Sequence, residues 1–245
     1  MAFSKIIEFS TSEDYLDTNQ DHPEPASHFI PAWYKKLNYK HDHKTAKGCM
    51  PFLDTLTAGY ILKVPQDYRI AHNILNEETN KQDSYQGVAH SAPGPHVNLN
   101  YGDRSYHEPF QLLGSKQLEK NKNLPFHKIA NPWIIKTPPG YSCLFVPPLN
   151  NKDDRFEILP GIVDTDTYQK EINFPILING DKYPTIDTTI EKGTPYVQVM
   201  PFLRDNWKMQ VKKRDTEKYK RWYYFYGLSF MNNYKKLFWR KKKYK

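Results

Sequence analysis

The sequence predicts a mainly β protein, a sandwich, jelly roll or barrel, and two observations carry that reading. Short runs rich in β-branched and aromatic residues recur through the middle of the chain, the pattern of strands buried between turns. Proline is frequent, 19 of 245 residues, and with glycine and asparagine it closes most of those runs. An aromatic content of 15% separates the chain from disordered sequences, which lack the large side chains that build a core.

Taken in order, residues 1–48 read as an extended arm with one short helix. They begin acidic, carry Pro23, Pro25 and Pro31, and include Ile30-Pro31-Ala32-Trp33-Tyr34-Lys35-Lys36-Leu37. Residues 49–207 read as the β domain, with strands expected at 58–64, 133–136, 174–178 and 196–202. A further strand is expected where Pro138-Pro139 and Pro147-Pro148 bracket Gly140-Tyr141-Ser142-Cys143-Leu144-Phe145-Val146. Between residues 76 and 131 the chain is polar, with Glu77-Glu78-Thr79-Asn80-Lys81-Gln82-Asp83-Ser84 and Ser91-Ala92-Pro93-Gly94-Pro95, and reads as a long excursion from the β domain. In residues 208–245, Tyr219, Trp222, Tyr223, Tyr226, Phe230, Tyr234 and Leu237 recur every three or four positions, with no proline after Pro201. That spacing predicts an amphipathic helix whose aromatic face packs in a core or an interface.

Charge is unevenly placed. The chain carries +8, but residues 208–245 hold fourteen cations against Asp215 and Glu217, a net +12, which leaves −4 on residues 1–207. Any electrostatic partner should therefore meet the C-terminal segment. From Lys235 to Lys245 seven cations could hold a polyanion such as nucleic acid without sequence preference. No apolar run approaches the roughly 20 residues of a membrane helix, and the start lacks the apolar stretch of a secretory signal. The expectation is therefore a chain that neither spans a membrane nor is secreted by that route, with no membrane partner.

Several chemistries lose their support. The eleven glycines are scattered singly, with no Gly-x-Gly and no Gly-Lys-Ser/Thr, so nucleotide-binding loops of the kinase, P-loop and dinucleotide kinds are absent. His41-Asp42-His43 and the looser set His90, His96 and His107 lack a firm third ligand, and no metal site is expected. Cys49 and Cys143 sit beside apolar residues and read as buried, inert thiols.

One stretch is more specific. Gly161-Ile162-Val163-Asp164-Thr165-Asp166-Thr167-Tyr168-Gln169-Lys170-Glu171 is followed by Asn179-Gly180-Asp181, then by Ile190-Glu191-Lys192-Gly193-Thr194-Pro195-Tyr196-Val197-Gln198-Val199. It resembles the third and fourth motifs of the dUTPase and dCTP deaminase superfamily. Upstream, Thr57-Ala58-Gly59-Tyr60-Ile61-Leu62 resembles the first motif, and Pro138-Pro139-Gly140-Tyr141 the lead into the second. The matches cover roughly residues 55–70 and 132–205. The resemblance implies a β-clip or distorted jelly-roll core, often trimeric. It also implies that Asp164, with Asp166 beside it, would activate water, that Tyr168 would stack on a sugar, and that Gln198 would contact the phosphate side. Arg155 and Arg204 are the candidates for cations arriving from elsewhere, and Mg²⁺ enters only with this hydrolase reading.

The chain departs from that pattern where phosphate is held. Ile61 replaces the acidic residue of the first motif, Pro148-Leu149-Asn150 replaces the Arg-Ser pair of the second, Tyr168 is displaced by one residue, and no glycine-rich lid follows. Triphosphate hydrolysis needs a preorganised cationic clamp. Residues 28–207 also resemble, more diffusely, an uncharacterised family encoded by tailed phages and some bacteria. The residues that carry this are Pro31-Ala32-Trp33-Tyr34-Lys35-Lys36-Leu37, Cys49-Met50-Pro51-Phe52-Leu53-Asp54-Thr55-Leu56-Thr57-Ala58-Gly59-Tyr60 and Asn131-Pro132-Trp133-Ile134-Ile135-Lys136-Thr137-Pro138-Pro139-Gly140-Tyr141-Ser142. The function expected first is a non-enzymatic, virion-associated protein without a cofactor. It would assemble with itself, as a trimer or another homo-oligomer, or with other virion proteins through Trp33, Tyr34, Trp222, Tyr226 and Phe230. Nucleotide binding or hydrolysis, and polyanion binding through the tail, are the alternatives.

Overall fold

The computed structural model of the chain describes residues 5–18, 21–39, 44–76, 81–88, 106–227 and 233–245. The elements run β1 (Glu8–Ser10), α1 (Glu13–Thr18), β2 (Glu24–Pro25), α2 (Ala32–Lys36), α3 (Met50–Thr57), β3 (Tyr60–Lys63), β4 (Tyr68–Asn76), β5 (Lys81–Val88), β6 (Tyr106–His107) and α4 (Lys116–Lys120). They continue through β7 (Phe126–Ile129), β8 (Ile134–Lys136), β9 (Tyr141–Val146), β10 (Phe156–Ile158), β11 (Gly161–Val163), β12 (Phe174–Ile178), β13 (Ile186–Ile190), β14 (Pro195–Leu203) and α5 (Thr216–Gly227).

The fold is mainly β, in several antiparallel sheets. One has the order β11-β9-β14-β3-β2, a second β10-β12-β7-β6, a third β13-β4-β5, and β1 pairs with β8. Each is open, so the barrel among the expected architectures is not formed within the described residues. One core fills the space between the sheets, drawing Leu62 and Val64 from the β3 region, Tyr68 and Ile70 from β4, and Cys143 and Phe145 from β9. Phe156, Ile158, Phe174, Ile176, Ile178, Ile190, Tyr196, Val197 and Val199 belong to it as well, with Tyr15, Ile129, Trp133 and Ile135. Phe174 holds the centre, with its ring 5.4 Å from Phe145 and edge-on to Tyr196 at 5.7 Å.

The expected strands at 58–64, 133–136, 140–146, 174–178 and 196–202 correspond to β3, β8, β9, β12 and β14. The structure corrects the reading of other segments. Residues 5–39 and 44–48 are woven into the core rather than extended from it: β1 pairs with β8, β2 joins the five-stranded sheet, and Tyr15 of α1 is 2% exposed, edge-on to Trp133 at 5.8 Å. That segment holds two α-helices and two short 3-10 helices, where one short helix was expected. The polar stretch after residue 76 includes β5, which forms a hairpin with β4, and later β7, which crosses to β12. Helix α3 went unforeseen; it opens with Pro51 in its first turn, where the missing N–H costs nothing. Cys49, at the N-cap of α3, is exposed, because it lies outside the sheets; Cys143 is buried as expected.

Gly59 links α3 to β3 at φ +71°, where a Cβ would lie 1.9 Å from the Val199 carbonyl oxygen. Only glycine lets this strand approach β14 so closely. No described helix is long and apolar enough to cross a membrane.

Candidate functional site

The densest polar cluster joins three chain segments at one end of the five-stranded sheet. The first is the turn Pro138-Pro139-Gly140-Tyr141, closed by the Tyr141 N–H on the Pro138 carbonyl at 3.2 Å with Gly140 at φ +83°. Proline at the second position and a positive-φ glycine at the third define a type II turn. The second is the turn after β11, in which the N–H groups of Thr167 and Tyr168 both donate to the Asp164 carbonyl, at 3.1 and 2.9 Å. The third is Arg204, one residue past β14, whose N–H donates to the Gly140 carbonyl at 2.8 Å.

Side chains lock the three together. The Asp166 carboxylate accepts from the Gly140 N–H at 2.8 Å and from both Nη1 and Nη2 of Arg204. The Arg204 guanidinium beside it, then the Gly140 N–H, holds the Asp166 carboxyl down at about 2. Arg204 Nη1 also donates to the Ser142 hydroxyl at 3.0 Å and lies 3.2 Å from Asp164 Oδ1, while the Ser142 hydroxyl donates to that same oxygen at 2.7 Å. Behind them Thr165, 1% exposed, joins its hydroxyl to Thr137 at 2.7 Å and donates to Cys143 Sγ at 3.3 Å. Burial pushes the Cys143 thiol up to about 11, which keeps it protonated at neutral pH.

The structure thus brings Asp164, Asp166 and Arg204 into one cluster, with Tyr168 on the same turn. It does not bring Arg155 or Gln198 there by any contact. Arg155 is paired with Asp153, Nη2 to Oδ2 at 2.7 Å, and donates to Thr188 and the Thr189 carbonyl, tying the start of β10 to β13. Gln198 is 1% exposed, and its amide is fully used: Oε1 accepts from the Leu149 N–H at 2.8 Å, and Nε2 donates to the carbonyls of Thr55 at 3.0 Å and Ala58 at 2.6 Å. Where the resemblance places a phosphate clamp, the exposed Asn150 is tied back to its own chain. Asn150 donates to the Thr55 hydroxyl at 2.7 Å, and Asn151 to the Phe29 carbonyl at 2.9 Å. What faces solvent at the cluster is the Asp164 side chain, 62% exposed, with Tyr168 at 42% and Arg204 at 38%.

Sequence reasoning missed Ser142, Thr137 and Thr165. Their signal was weak, since a hydroxyl in or beside an apolar strand shows its partner only when the neighbouring segment is known.

Of the residues expected at an interface, Trp33 is 47% exposed and lies edge-on to Tyr34 and Phe52. Tyr34 is 3% exposed and stacked on Phe52 at 5.8 Å, so its ring is occupied within its own chain. Trp222 of α5 is 48% exposed, with its ring 5.8 Å from Phe238. The Tyr226 side chain and Phe230 lie outside the described residues. The same holds for His41, His43, His90 and His96, while His107 stacks on Phe126 at 5.2 Å.

The C-terminal segment divides in two. Trp207, Met209 and Val211 are 86–90% exposed on an extended stretch, and α5 follows with Tyr223 and Tyr224 exposed. The last residues return to the body: Trp239 Nε1 donates to both oxygens of Asp54 at 3.1 Å, Lys242 pairs with the same carboxylate, and Tyr244 packs edge-on against Tyr60 at 5.9 Å. No protein-family model matches the chain, and no curated protein matches it.

Proposed function

We propose that this protein is a non-enzymatic assembly component of the virion-associated kind that tailed phages encode. Its dUTPase-like β core serves as a scaffold, and its C-terminal segment contacts other subunits. The observation that carries the reading is the exposure of Trp207, Met209 and Val211, each at least 86% open to solvent on a segment whose net charge is +12. Large apolar side chains grouped on an open segment mark an interaction surface. The polar groups that a nucleotide would need support the same reading, since Gln198, Asn150 and Arg155 are spent on their own chain and Arg204 is spent on Asp166.

A second reading, deoxynucleotide binding with Mg²⁺, is favoured by one observation: Asp164 and Tyr168 both stand exposed on one turn. Light-scattering mass at micromolar concentration, with and without deoxynucleotides and Mg²⁺, and with pyrophosphate release followed in the same samples, separates the two. The assembly reading expects a mass of several chains, no turnover, and a melting temperature unmoved by nucleotide. A monodisperse monomer would overturn it, and so would turnover that Asp164→Asn removes.

A further inference from the structure

The last seven residues of the chain have a built seat, and the stretch that leads to them is almost unattached. The seat is the outer face of α3 with the start of β3. There Asp54 receives the Trp239 indole N–H and the Lys242 ammonium, and Tyr60 meets the Tyr244 ring and donates its hydroxyl to the Lys245 carbonyl at 3.3 Å. Burial raises the pKa of both tyrosines, as expected for hydroxyls set into a contact rather than left in water. By contrast residues 205–213 make no hydrogen bond, ion pair or ring contact with any other described residue. Eleven extended residues, 205–215, can span about 36 Å, enough to reach a neighbouring molecule.

We infer that the C-terminal segment is exchanged between copies, so that residues 239–245 of one chain sit on Asp54 and Tyr60 of a second. The inference rests on the assembly reading above and names its partner and its contact. Held on its own chain, the segment leaves Trp207, Met209 and Val211 bare; in an exchanged pair the same terminal contacts form, and the bare residues gain a surface to cover. Exchange of an identical element costs little, because every contact at the seat is one the chain already makes. Charge favours a second copy as the occupant: the segment from residue 208 onward carries +12, and the body it would meet carries −4. Along Trp207-Lys208-Met209-Gln210-Val211-Lys212 apolar and polar residues alternate, so one face of the extended segment is apolar and the other cationic or polar.

The test uses two variants of the full chain. Asp54→Lys removes the seat and keeps the tail; deletion of residues 239–245 removes the tail and keeps the seat. Both leave every strand residue in place, and circular dichroism with a melting curve checks that both fold. Each variant is sized alone and then in equimolar mixture by light scattering and native mass spectrometry. The expected result is that each alone loses most of the wild-type assembly, while the mixture forms a heterodimer with one intact seat. A mixture no larger than its components would overturn exchange. If the wild type assembles and both variants assemble as well as it does, the seat is overturned and the assembly reading stands. If the wild type assembles only when an oligonucleotide is added, the second copy is overturned as occupant. A wild type that stays monomeric overturns the assembly reading itself, and exchange with it.

Discussion

Aromatic residues are dense both in the sheets and in the C-terminal segment, and the two regions treat them in opposite ways. Phe145, Phe156, Phe174 and Tyr196 are at most 4% exposed, whereas Trp207, Tyr219, Trp222, Tyr223 and Tyr224 range from 43% to 90%. Ring chemistry does not separate them; neighbours do. In β9, β12 and β14 the rings sit among Ile, Val and Leu, so a strand can turn a continuous apolar surface to the core. In residues 207–224 they alternate with Lys and Arg, whose charges cannot be buried unpaired, and the segment stays in water. Aromatic content alone therefore says little about burial until the charge between the rings is counted. β14 makes the transition within one element: Tyr196 to Val199 are buried, and Phe202 and Leu203 are exposed.

The sharpest way to break this comparison is to truncate one ring in each region. Phe174→Ala should cost about 3–5 kcal/mol of unfolding free energy, because the hole it leaves between Phe145 and Tyr196 collapses only partly. Trp207→Ala in dilute protein should stay within about 0.5 kcal/mol. Equal losses in urea titrations of the two variants would mean that the exposed segment is part of the cooperative core.

Next in size is Gln198→Ala. It orphans the Leu149 N–H and leaves the Thr55 and Ala58 carbonyls without their donor, which should cost about 2–3 kcal/mol. A variant as stable as the wild type would show that water replaces the amide, and that Gln198 does not hold β14 to α3.

Asp166 tests the polar end of the sheet through pH. Its folded pKa, about 2, lies below the ordinary aspartate value, so its pair with Arg204 contributes stability that is complete above about pH 4 and lost as pH falls through 2. Asp166→Asn should melt at a lower temperature than the wild type at neutral pH, and the two curves should converge near pH 2. A gap that persists unchanged at pH 2 would assign the loss to geometry rather than to charge.

The smallest effect is expected at His72 on β4, which is fully buried with neither ring nitrogen hydrogen-bonded. Burial, and then the nearby Lys122 charge, lowers its pKa, so the folded state resists protonation and stability falls as pH drops below about 6.5. Replacing the imidazole by an apolar side chain removes two unpaired polar atoms. His72→Leu should be neutral or up to about 1 kcal/mol stabilising at pH 7.5, and its advantage should grow as pH falls to 5.5. An advantage that does not change with pH would exclude His72 as the titrating group.

Much of the strand pattern was legible in the sequence, and the reason is local. Runs such as Phe174-Pro175-Ile176-Leu177-Ile178 carry their own punctuation and lack charge, so their burial needs no knowledge of partners. β4 was not legible: Arg69, His72 and Asn73 interrupt its apolar residues, and it is a strand because β13 pairs with it from Tyr68 to His72. α3 is short, and its eight residues gave the periodicity little room to show itself. At the polar cluster, Asp164 and Asp166 stood out only through the resemblance of their turn, Gly161 to Asp166, to a motif of the dUTPase and dCTP deaminase superfamily. Ser142 and Thr165 did not, since a hydroxyl in a strand or turn is ordinary until its partner from a distant segment is known.

By itself the sequence determined the mainly β class, the five strands marked by their own turns, and the division between a mildly acidic body and a strongly basic end. These depend on composition and on spacing between near neighbours. Only the tertiary structure decided that residues 8–25 supply core side chains and an edge strand, that the amides of Gln198 and Asn150 donate to Thr55 of α3, and that the chain's last residues sit on Asp54 and Tyr60. Each of those outcomes joins residues that lie tens to nearly two hundred positions apart. A hydrogen bond or a packed ring records which groups meet in space, and no local pattern in one sequence carries that information.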